Sequence, residues 1–367
     1  MPEICHIVPS LNPGGTERLV IEMSRRLKQT YSVRICCLDE PGRWASEAES
    51  YGIPVMALHR SPGFHPGLGL RIAKWLEGTT RPVLHCHHFS PFVYGRLAAY
   101  LRRGSTVLYT EHGRLSDVPS SGRRRVASFL LGRLPVRIFA VSGDLKDSLV
   151  EDGFPGDRIE VIHNGIEPGD RPSTEDRMAA RRKLGIATDR VVVGTVARLN
   201  PVKDLETLIQ AFALVRSRVP DPLLFLIGDG SERDRLEELS AALGVRSEVI
   251  FAGHRDDARS LLPAFDLFLN TSVSEGLSVT ILEAMAAALP VVATSVGGTP
   301  ELLVDTSVGL LVEKGQPQAT AEAIERLLHD SAVREAMGPA ARQRVIDSFS
   351  IARMIDRYTA IYEGVPT

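Results

Sequence analysis

The chain of 367 residues is long enough for two domains, and its content of 44% hydrophobic and 24% charged residues is typical of a soluble globular protein. Its formal net charge of −2 favours neither a nucleic-acid-binding protein nor one drawn strongly to membranes. We find no run of about 18 apolar residues, so we expect no transmembrane helix.

The charge differs between the two halves of the chain. Residues 1–165 contain 21 Lys and Arg against 16 Asp and Glu, a balance of +5. Residues 166–367 contain 22 against 29, a balance of −7. A basic first half and an acidic second half predict two domains with different partners.

The four cysteines lie in apolar, strand-like runs of the first half: Cys5, Cys36, Cys37 and Cys86. None forms a CxxC pair, so we predict buried free thiols in a reducing compartment. Because the chain enters an apolar run at residue 4, we expect no signal peptide and a cytoplasmic location.

The first predicted unit is a strand at residues 4–8, a glycine-containing loop at 9–16 and a helix at 17–27. This order is typical of a phosphate or dinucleotide site. The loop matches neither GxGxxG nor a Walker loop, so a simple tight turn stays an alternative. A nicotinamide dehydrogenase is a further alternative, because it would need an acidic residue about 20 positions beyond the loop, where Asp39 and Glu40 lie.

Further strands are predicted at 33–38, 55–58 and 83–87, with helices at 45–51 and 68–77. The last of these strands ends in a histidine cluster, in which His85 and His87 share one face and His88 points away. No pattern of paired zinc ligands follows, so we predict that no metal is bound.

A strand at 107–110 leads to His112, which is either a functional residue or a solvated loop histidine. The segment 122–137 then sets five arginines around apolar residues such as Val126 and Phe129. Such a basic amphipathic helix either lies on an anionic membrane surface or is an ordinary surface helix.

The first half closes with a strand at 138–141, a helix at 143–151 and a strand at 158–162. Residues 167–174 are polar and rich in Pro and Gly, which predicts an interdomain linker. A helix at 176–184 and a strand at 191–196 restart the alternation, so we predict two similar α/β domains.

Two cations flank the start of the next helix, which is predicted at 205–215. Arg198 and Lys203 can together neutralise a diphosphate leaving group without a metal. Two unrelated surface cations are the alternative. Strands at 223–227 and 249–254 follow.

Residues 267–293 are the chemical centre of the sequence, because a strand, a polar loop, a helix at 278–288 and a second strand form a parallel α/β unit there. Gly276 lets backbone N–H groups approach an anion at the helix N-terminus. Glu275 lies just before this end, and Glu283 leans back towards it from inside the helix. Backbone donors for phosphate and carboxylates for hydroxyls indicate a nucleotide-sugar site.

The remaining elements are a strand at 309–313 and helices at 319–329, 332–337, 339–348 and 351–363. No internal repeat at the periods of solenoid proteins occurs. The chain is therefore predicted to be of the α/β class throughout.

Glu275 and Glu283, separated by seven residues within SEGLSVTILEAMAAALPVVAT, resemble the paired-glutamate signature of the retaining glycosyltransferases of family 4, the group 1 type, which have the GT-B fold. Other matches are Gly14-Gly15-Thr16, Glu111-His112-Gly113, His163-Asn164-Gly165, Arg198 with Lys203, and Gly228-Asp229-Gly230. Two residues depart from the pattern, because His163 replaces the usual proline and Asp204 replaces the usual glycine. The resemblance covers nearly the whole chain.

The resemblance implies two Rossmann-like domains that face a cleft. Residues 1–167, with a C-terminal helix at 350–367 that crosses back, would bind the acceptor, and residues 168–349 would bind the nucleotide-sugar donor. The implied enzyme is a hexosyltransferase (EC 2.4) of polysaccharide biosynthesis, which moves a sugar from a nucleoside diphosphate sugar to a glycan or lipid-linked acceptor. It would retain the anomeric configuration and need no cofactor, and UDP-sugar is favoured over GDP-sugar.

The resemblance also implies roles for individual residues. Catalytic roles would fall to His112, Glu275, Arg198 and Lys203. Donor binding would fall to Gly14, Gly15, Gly253, Gly276, Leu277, Ser278 and Glu283, and the acceptor side to Thr16, His87 and Asn164. The family's front-face mechanism uses no firm protein nucleophile, so Glu275 would bind the donor sugar without forming a covalent bond to it. A non-catalytic nucleotide-sugar binding protein stays an alternative beside the dehydrogenase.

Overall fold

The computed structural model describes residues 3–113 and 121–364. These residues form two compact units. The first unit contains residues 3–113, 121–165 and 351–364, and the second contains residues 166–350. Each unit has its own parallel sheet and its own hydrophobic core.

Seven strands form the sheet of the first unit: β1 (Glu3–Val8), β2 (Ser32–Cys37), β3 (Val55–Ala57), β4 (Val83–His87), β5 (Thr106–Glu111), β6 (Arg137–Ala140) and β7 (Ile159–Val161). They run parallel in the order β3-β2-β1-β4-β5-β6-β7. The strand order reverses between β1 and β4, and open α/β sheets bind ligands at the carboxyl ends of the strands beside such a reversal.

Six helices connect these strands: α1 (Gly15–Leu27), α2 (Ala45–Ser50), α3 (Gly67–Trp75), α4 (Phe89–Leu101), α5 (Gly122–Leu131) and α6 (Gly143–Glu151). Helix α1 shows how they attach to the sheet. Its residues Leu19, Met23 and Leu27 recur every four positions, so they share one face of the helix. All three are buried in a core with Ile4 of β1 and Val33 of β2.

Six strands form the sheet of the second unit: β8 (Val192–Val196), β9 (Leu223–Ile227), β10 (Val249–Phe251), β11 (Leu267–Asn270), β12 (Val291–Thr294) and β13 (Leu310–Val312). They are parallel, in the order β10-β9-β8-β11-β12-β13. Here the order reverses between β8 and β11. The loops that follow these two strands carry Lys203 and Glu275.

The described part of the second unit contains eight helices: α7 (Thr174–Leu184), α8 (Leu205–Arg216), α9 (Arg233–Ala242), α10 (Ala258–Leu261), α11 (Val279–Ala286), α12 (Thr299–Leu302), α13 (Pro317–His329) and α14 (Ser331–Ser348). Single 3-10 turns lie at Gly156–Arg158, Pro201–Lys203 and Leu262–Ala264. Within the described parts of the chain, no helix has the length and apolarity needed to cross a membrane.

The last helix, α15 (Ile351–Glu363), belongs to the first unit although it follows the second in sequence. Its residues Met354, Tyr358 and Ile361 are buried in the same core as α1. The Tyr358 hydroxyl lies 3.1 Å from the hydroxyl of Thr110 on β5. The prediction of a C-terminal helix that returns to the first domain is therefore confirmed.

The longest helices that were not predicted are α4 and α9, and two predicted helices form one continuous helix. Helix α4 begins with Phe89-Ser90-Pro91, and proline is tolerated there because the N–H groups of a first helical turn have no partner inside the helix. Helix α9 is highly charged, and no element was predicted for its residues. Helix α14 continues through Pro339. A Cβ on Gly338 would lie 2.1 Å from the carbonyl oxygen of Ala288, so close packing on the end of α11 holds α14 in place there.

Candidate active site

The loop after β11 fixes the carboxylate of Glu275 with three donors. Its Oε1 accepts hydrogen bonds from Lys203 Nζ at 2.5 Å, from Ser272 Oγ at 2.7 Å and from Asn270 Nδ2 at 3.2 Å. Lys203 comes from the loop after β8, which is 72 residues away in sequence. The sheet order places the two loops side by side, so two predicted catalytic residues form an ion pair.

Charge and burial at Glu275 oppose each other. Burial favours the neutral acid, but the charge of Lys203 and the three hydrogen bonds outweigh it and lower the pKa of Glu275 below its usual value. The Glu275 side chain is 9% exposed and that of Lys203 is 24% exposed. The loop therefore holds an ionised, weakly basic carboxylate that only accepts hydrogen bonds.

Gly297 determines the path of the backbone at Glu275. It has a φ of 53°, and a Cβ at this position would lie 1.8 Å from the carbonyl oxygen of Glu275. The next residue, Gly298, donates its N–H to the carbonyl of Gly276 at 2.9 Å. The glycine pair after β12 thus supports the loop that carries the carboxylate.

Asp204, which departs from the family's usual glycine, adopts a glycine-like conformation. Its φ of 42° and ψ of 51° are left-handed, a region that Asp enters more easily than most residues. Its carboxylate accepts hydrogen bonds from the Thr207 N–H at 3.3 Å and the Thr207 hydroxyl at 2.7 Å, which caps α8. The cap offsets part of the cost of this left-handed conformation, which glycine adopts most easily.

The other predicted catalytic and donor-binding residues of the second unit lie at different points of that unit. Arg198 is exposed in the loop after β8. Glu283 lines a cavity of 440 Å³ with Gly169 of the linker and Arg259. Leu277 and Ser278 are buried before α11. Ser278 occupies the N-cap position of this helix, but its hydroxyl makes no capping bond and lies 3.3 Å from that of Thr280.

Gly253 lies beyond β10 with a φ of 69°. Its carbonyl accepts a hydrogen bond from the N–H of Gly228 at 2.9 Å, which joins the ends of two adjacent strands. A Cβ on Gly228 would lie 1.8 Å from the carbonyl oxygen of Ala197. This packing accounts for glycine in the Gly-Asp-Gly element.

The first unit gathers four buried histidines at the carboxyl end of its sheet. The register of β1 and β4 sets His6 beside His85. The rings of His85 and His87 stack at 4.2 Å, which confirms that they share a face. His6 Nδ1 lies 3.0 Å from His87 Nε2, and His87 Nδ1 lies 2.9 Å from His112 Nε2. His112 is 8% exposed, so it is not a solvated loop histidine.

All four rings are neutral near pH 7. Burial lowers the pKa of His6 to about 3. Burial, followed by the nearby charge of His88, lowers the pKa of His112 to about 3. The pKa values of His85 and His87 also lie well below the usual value because the rings are buried. Neutral rings act as one donor and one acceptor each.

A charged pair lies beside this neutral cluster. His88 Nδ1 lies 2.7 Å from Glu111 Oε1, which also accepts the His112 N–H at 3.2 Å. Burial would raise the pKa of Glu111, but His88, Tyr109 and Arg124 lower it to about 2. Burial would lower the pKa of His88, but Glu111 raises it. Because Glu111 Oε1 contacts His88 and also accepts the backbone N–H of His112, this pair fixes the position of the His112 backbone.

Three of these histidines could hold a metal ion. One ring nitrogen from each of His6, His85 and His87 falls within 4.8 Å of the others. The nitrogens of His85, however, lie 2.7 Å from the Tyr362 hydroxyl and 2.8 Å from the Thr110 hydroxyl. A metal would have to displace these hydrogen bonds, and within the described residues no carboxylate joins the group.

The glycine loop of the first unit opens α1. Gly14 is the N-cap residue with extended backbone, and Gly15 and Thr16 start the helix. Glu17, in the same first turn, contributes to the raised pKa of His88. Thr16, which was predicted on the acceptor side, therefore directly precedes Glu17, whose charge acts on His88 beside the histidine cluster.

Two family models match the chain. Glycosyltransferase Family 4 matches residues 13–170, and Glycosyl transferases group 1 matches residues 176–344. The uncharacterized glycosyltransferase MJ1607 of Methanocaldococcus jannaschii is 30% identical over 292 residues, which cover 77% of this chain and 75% of the relative. The chain belongs to the group 1 glycosyltransferases.

Another relative of this glycosyltransferase is the N-acetyl-alpha-D-glucosaminyl L-malate synthase of Bacillus anthracis, which is 28% identical over 83% of this chain and 80% of the relative. Among solved structures, HepE of Anabaena in complex with UDP and glucose has a TM-score of 0.89 at 24% identity, covering 99% of this chain and all of that chain. At this level of identity the likeness shows the fold, which is GT-B as predicted.

Family membership overturns the dehydrogenase alternative. The structure also gives Asp39 a different task, because it accepts a hydrogen bond from Arg60 Nε at 2.7 Å. The glycosyltransferase brings its predicted site residues together in two groups. Lys203 pairs with Glu275, and His87 lies within hydrogen-bonding distance of His112, while Asn164 is buried in the same unit as these two histidines.

His6, His88 and Glu111 were not predicted as site residues. His6 carries no signal of its own, because its place beside His85 depends on the register of two strands that are 79 residues apart. Glu111 could have been identified from the sequence, because an acidic residue at the end of a buried strand and next to a candidate histidine indicates a charged partner for a histidine.

Proposed function

We propose that this glycosyltransferase transfers a sugar, with retention, from a UDP-sugar to a glycan or lipid-linked acceptor without a metal. The observation that carries the proposal is the ion pair of Lys203 and Glu275 at the strand-order reversal of the second unit. A cation for the diphosphate and a carboxylate for the sugar hydroxyls are thereby available in one place.

The diphosphate would contact Lys203, Arg198 and the backbone N–H groups from Gly276 to Ser278, where the N-terminus of α11 favours negative charge. The three described hydrogen bonds to the Glu275 carboxylate all fall on Oε1. Within the described residues, Oε2 therefore keeps acceptor capacity for a sugar hydroxyl. Glu283 would accept hydrogen bonds from the ribose hydroxyls.

Retention without a covalent intermediate agrees with the state of Glu275. Three donors immobilise the carboxylate and lower its pKa, which makes it a poor nucleophile and a poor base. The acceptor hydroxyl would attack on the face from which the diphosphate leaves, and the leaving phosphate would take up the proton. The positive charge of Arg198 and Lys203 would stabilise the leaving group.

A UDP-sugar is favoured as the donor because HepE, which shares the fold, binds UDP and glucose. The acceptor is open to test, since the relative from Bacillus anthracis is named for a transfer to L-malate. L-Malate therefore serves as a competitor acceptor in any assay with glycan or lipid-linked acceptors.

Contact with an anionic membrane through α5 is part of the proposal. Val126, Phe129 and Leu130 are 61%, 49% and 59% exposed on this helix, between the arginines of the segment. Arg124 is an exception, because its guanidinium faces inward towards Glu111 and Asp152. Co-sedimentation with vesicles of anionic lipid, and none with zwitterionic vesicles, is the expected result.

A thermal-shift comparison with UDP, GDP, ADP and NADH, each with and without EDTA, tests the donor class. A ligand at about 100 times its Kd adds about 2.7 kcal/mol to the free energy of unfolding, which raises the Tm by several degrees. We expect UDP to raise the Tm equally with EDTA. A shift with NADH alone, or one that EDTA abolishes, would contradict the proposal.

A further inference from the structure

Three consecutive polar residues in the second unit contact both loops that carry the ion pair. Asn270, Thr271 and Ser272 are 5%, 2% and 1% exposed, so their side chains need hydrogen-bond partners inside the protein. The side chains of Asn270 and Ser272 reach the Glu275 carboxylate. The side chain of Thr271, between them in sequence, reaches the backbone of the loop after β8. One short segment, residues 270–272, therefore acts on both members of the pair.

Ser272 is a fixed donor to the carboxylate. Its Oγ lies 2.7 Å from Glu275 Oε1, and an ionised carboxylate only accepts, so the hydroxyl donates. Hydrogen bonds to charged groups are stronger than those between neutral groups. The backbone of Ser272 is held as well, because its carbonyl accepts a hydrogen bond from the Thr294 hydroxyl at 2.5 Å.

The orientation of the Asn270 amide follows from its two contacts. Its Oδ1 accepts the backbone N–H of Ser272 at 3.2 Å, and its Nδ2 donates to Glu275 Oε1 at 3.2 Å. The reversed amide would set an NH₂ group against an N–H and an oxygen against a carboxylate, so both contacts would be repulsive. Asn270 therefore supplies a second neutral donor on the same carboxylate oxygen as Ser272.

Thr271 holds the loop that carries Lys203. Its Oγ1 lies 2.9 Å from the carbonyl oxygen of Asp204 and 3.2 Å from that of Lys203. Carbonyl oxygens only accept, so the hydroxyl donates to this pair of neighbouring carbonyls. The N–H of Val273 adds a bond of 2.9 Å to the carbonyl of Val202. These bonds fix the backbone from which the Lys203 side chain extends.

We propose that Asn270, Thr271 and Ser272 are positioning residues with separate tasks. Ser272 and Asn270 hold the Glu275 carboxylate for the donor sugar, and Thr271 holds Lys203 for the diphosphate. The proposal rests on the proposed roles of Glu275 and Lys203, because the three residues act through these two and not on the substrate.

The two tasks predict different kinetic effects. UDP carries the diphosphate but no donor sugar, so its affinity reports on Lys203 and not on Glu275. Turnover of UDP-glucose also depends on the carboxylate that holds the sugar. Loss of a donor to Glu275 should therefore lower kcat and leave the Kd of UDP unchanged, whereas loss of the Thr271 hydroxyl should raise this Kd.

Ser272→Ala tests the first task. We expect kcat for UDP release from UDP-glucose to fall about tenfold, and the Kd of UDP in EDTA to stay within about twofold of wild type. Ser240→Ala is the matched control, since this buried hydroxyl of α9 bonds the carbonyl of Glu237 at 2.7 Å. Both quantities should stay within about twofold of wild type in the control.

Asn270→Asp is a second variant for the same task. It keeps an oxygen for the N–H of Ser272 but replaces the donor to Glu275 with a carboxylate oxygen. Two carboxylates then face each other, so kcat should fall more than it does in Ser272→Ala. A kcat within about twofold of wild type in a folded Ser272→Ala or Asn270→Asp protein would overturn the proposal.

Thr271→Val tests the second task with a side chain of nearly the same shape. We expect the Kd of UDP in EDTA to rise about fivefold or more. Thr320→Val is the matched control, since this buried hydroxyl bonds the carbonyl of Gln316 at 2.9 Å within α13. An unchanged Kd in folded Thr271→Val would overturn the role of Thr271.

The pattern across the variants separates positioning from a general disturbance of the loop. Equal losses of kcat and UDP affinity in Ser272→Ala and Thr271→Val would overturn the division of tasks. A wild type that binds no UDP would instead count against the proposed donor. The same variants are then compared with whichever nucleoside diphosphate raises the Tm of the wild type.

Discussion

The two units stabilise their buried polar side chains in opposite ways. The second unit keeps a charged pair, because Lys203 and two neutral donors compensate for the desolvation of Glu275. The first unit keeps a neutral cluster, because its histidines bond to one another and to hydroxyls. Both groups of side chains are buried, and their hydrogen-bond and charge partners determine whether each side chain is charged or neutral.

This comparison separates two tasks of a transferase. A charged pair can compensate for the charge that develops on a leaving diphosphate. A neutral group of hydrogen-bonded side chains can orient a hydrogen-bond donor without changing the net charge of the site. The contrast is not absolute, because His88 and Glu111 form a charged pair within the first unit, where they hold the backbone of His112.

Removal of the cation in Lys203→Ala is expected to have the largest effect. It leaves the buried carboxylate of Glu275 without its charged partner and the diphosphate without a cation. We expect kcat for UDP release from UDP-glucose to fall on the order of 100-fold or more, with folded circular dichroism. Arg218→Ala is the control, since it removes a cation from an exposed pair with Glu325. Equal rates in both variants would disprove the site assignment.

Gly297→Ala tests the support beneath Glu275. The added Cβ would meet the carbonyl oxygen of Glu275 at 1.8 Å, and φ is positive. We expect a loss of ~2–4 kcal/mol in the free energy of unfolding from denaturant titration, together with lost activity. Gly315→Ala is the control, because φ is 67° there with nothing within 4 Å of the new Cβ, and about 1 kcal/mol should be lost. Equal losses would show that the contact is unimportant.

The neutral histidines predict a loss of stability in mild acid. Their pKa values in the folded protein lie below the ordinary histidine value of about 6.5, at about 3 for His6, so the unfolded chain binds protons first as the pH falls. Their contribution is complete above pH 6.5 and is lost as the pH falls towards 3. Each should cost roughly 1 kcal/mol per pH unit in this window.

Urea titrations at pH 7.5, 6.5 and 5.5 check this prediction. His6→Asn should flatten the slope between pH 6.5 and 5.5, while the exposed His329→Asn should leave it unchanged. A wild-type free energy of unfolding that does not change between pH 6.5 and 5.5 would contradict the prediction.

Substitutions at Asp204 should give the smallest effects. Asp204→Gly removes the cap of α8 but relaxes the left-handed backbone, so we expect a change of a few tenths of a kcal/mol. Asp204→Ala keeps the strain and loses the cap, and about 1–2 kcal/mol should be lost. The difference between their Tm values measures the balance, and an equal loss would show that the backbone is unstrained.

The sequence predicted the second unit better than the first. Strand β11, the loop and α11 are contiguous, so Glu275 and its helix could be placed from local patterns. The resemblance assigned Glu275 and Lys203 to one site, but the ion pair between them was not predicted, because it depends on the strand order that brings their loops together. The inward turn of Arg124 and the uninterrupted helix at Pro339 could not be predicted, because tertiary contacts decide both.

The histidine cluster shows why the site of the first unit could not be predicted in full from the sequence. His85 and His87 could be placed on one face from the period of a strand. Their partners come from β1, β5 and α15, and the contact with Tyr362 spans 277 residues of sequence. Such contacts depend on strand order and register, which local patterns leave undetermined.

Calorimetric titration of UDP in EDTA into the wild type and Lys203→Ala tests the central claim most directly. That claim is that the charged pair of the second unit forms a metal-free diphosphate site. The account predicts binding to the wild type in EDTA and at least about tenfold weaker binding to Lys203→Ala. Equal affinity in both proteins, or binding that requires a divalent metal, would contradict it.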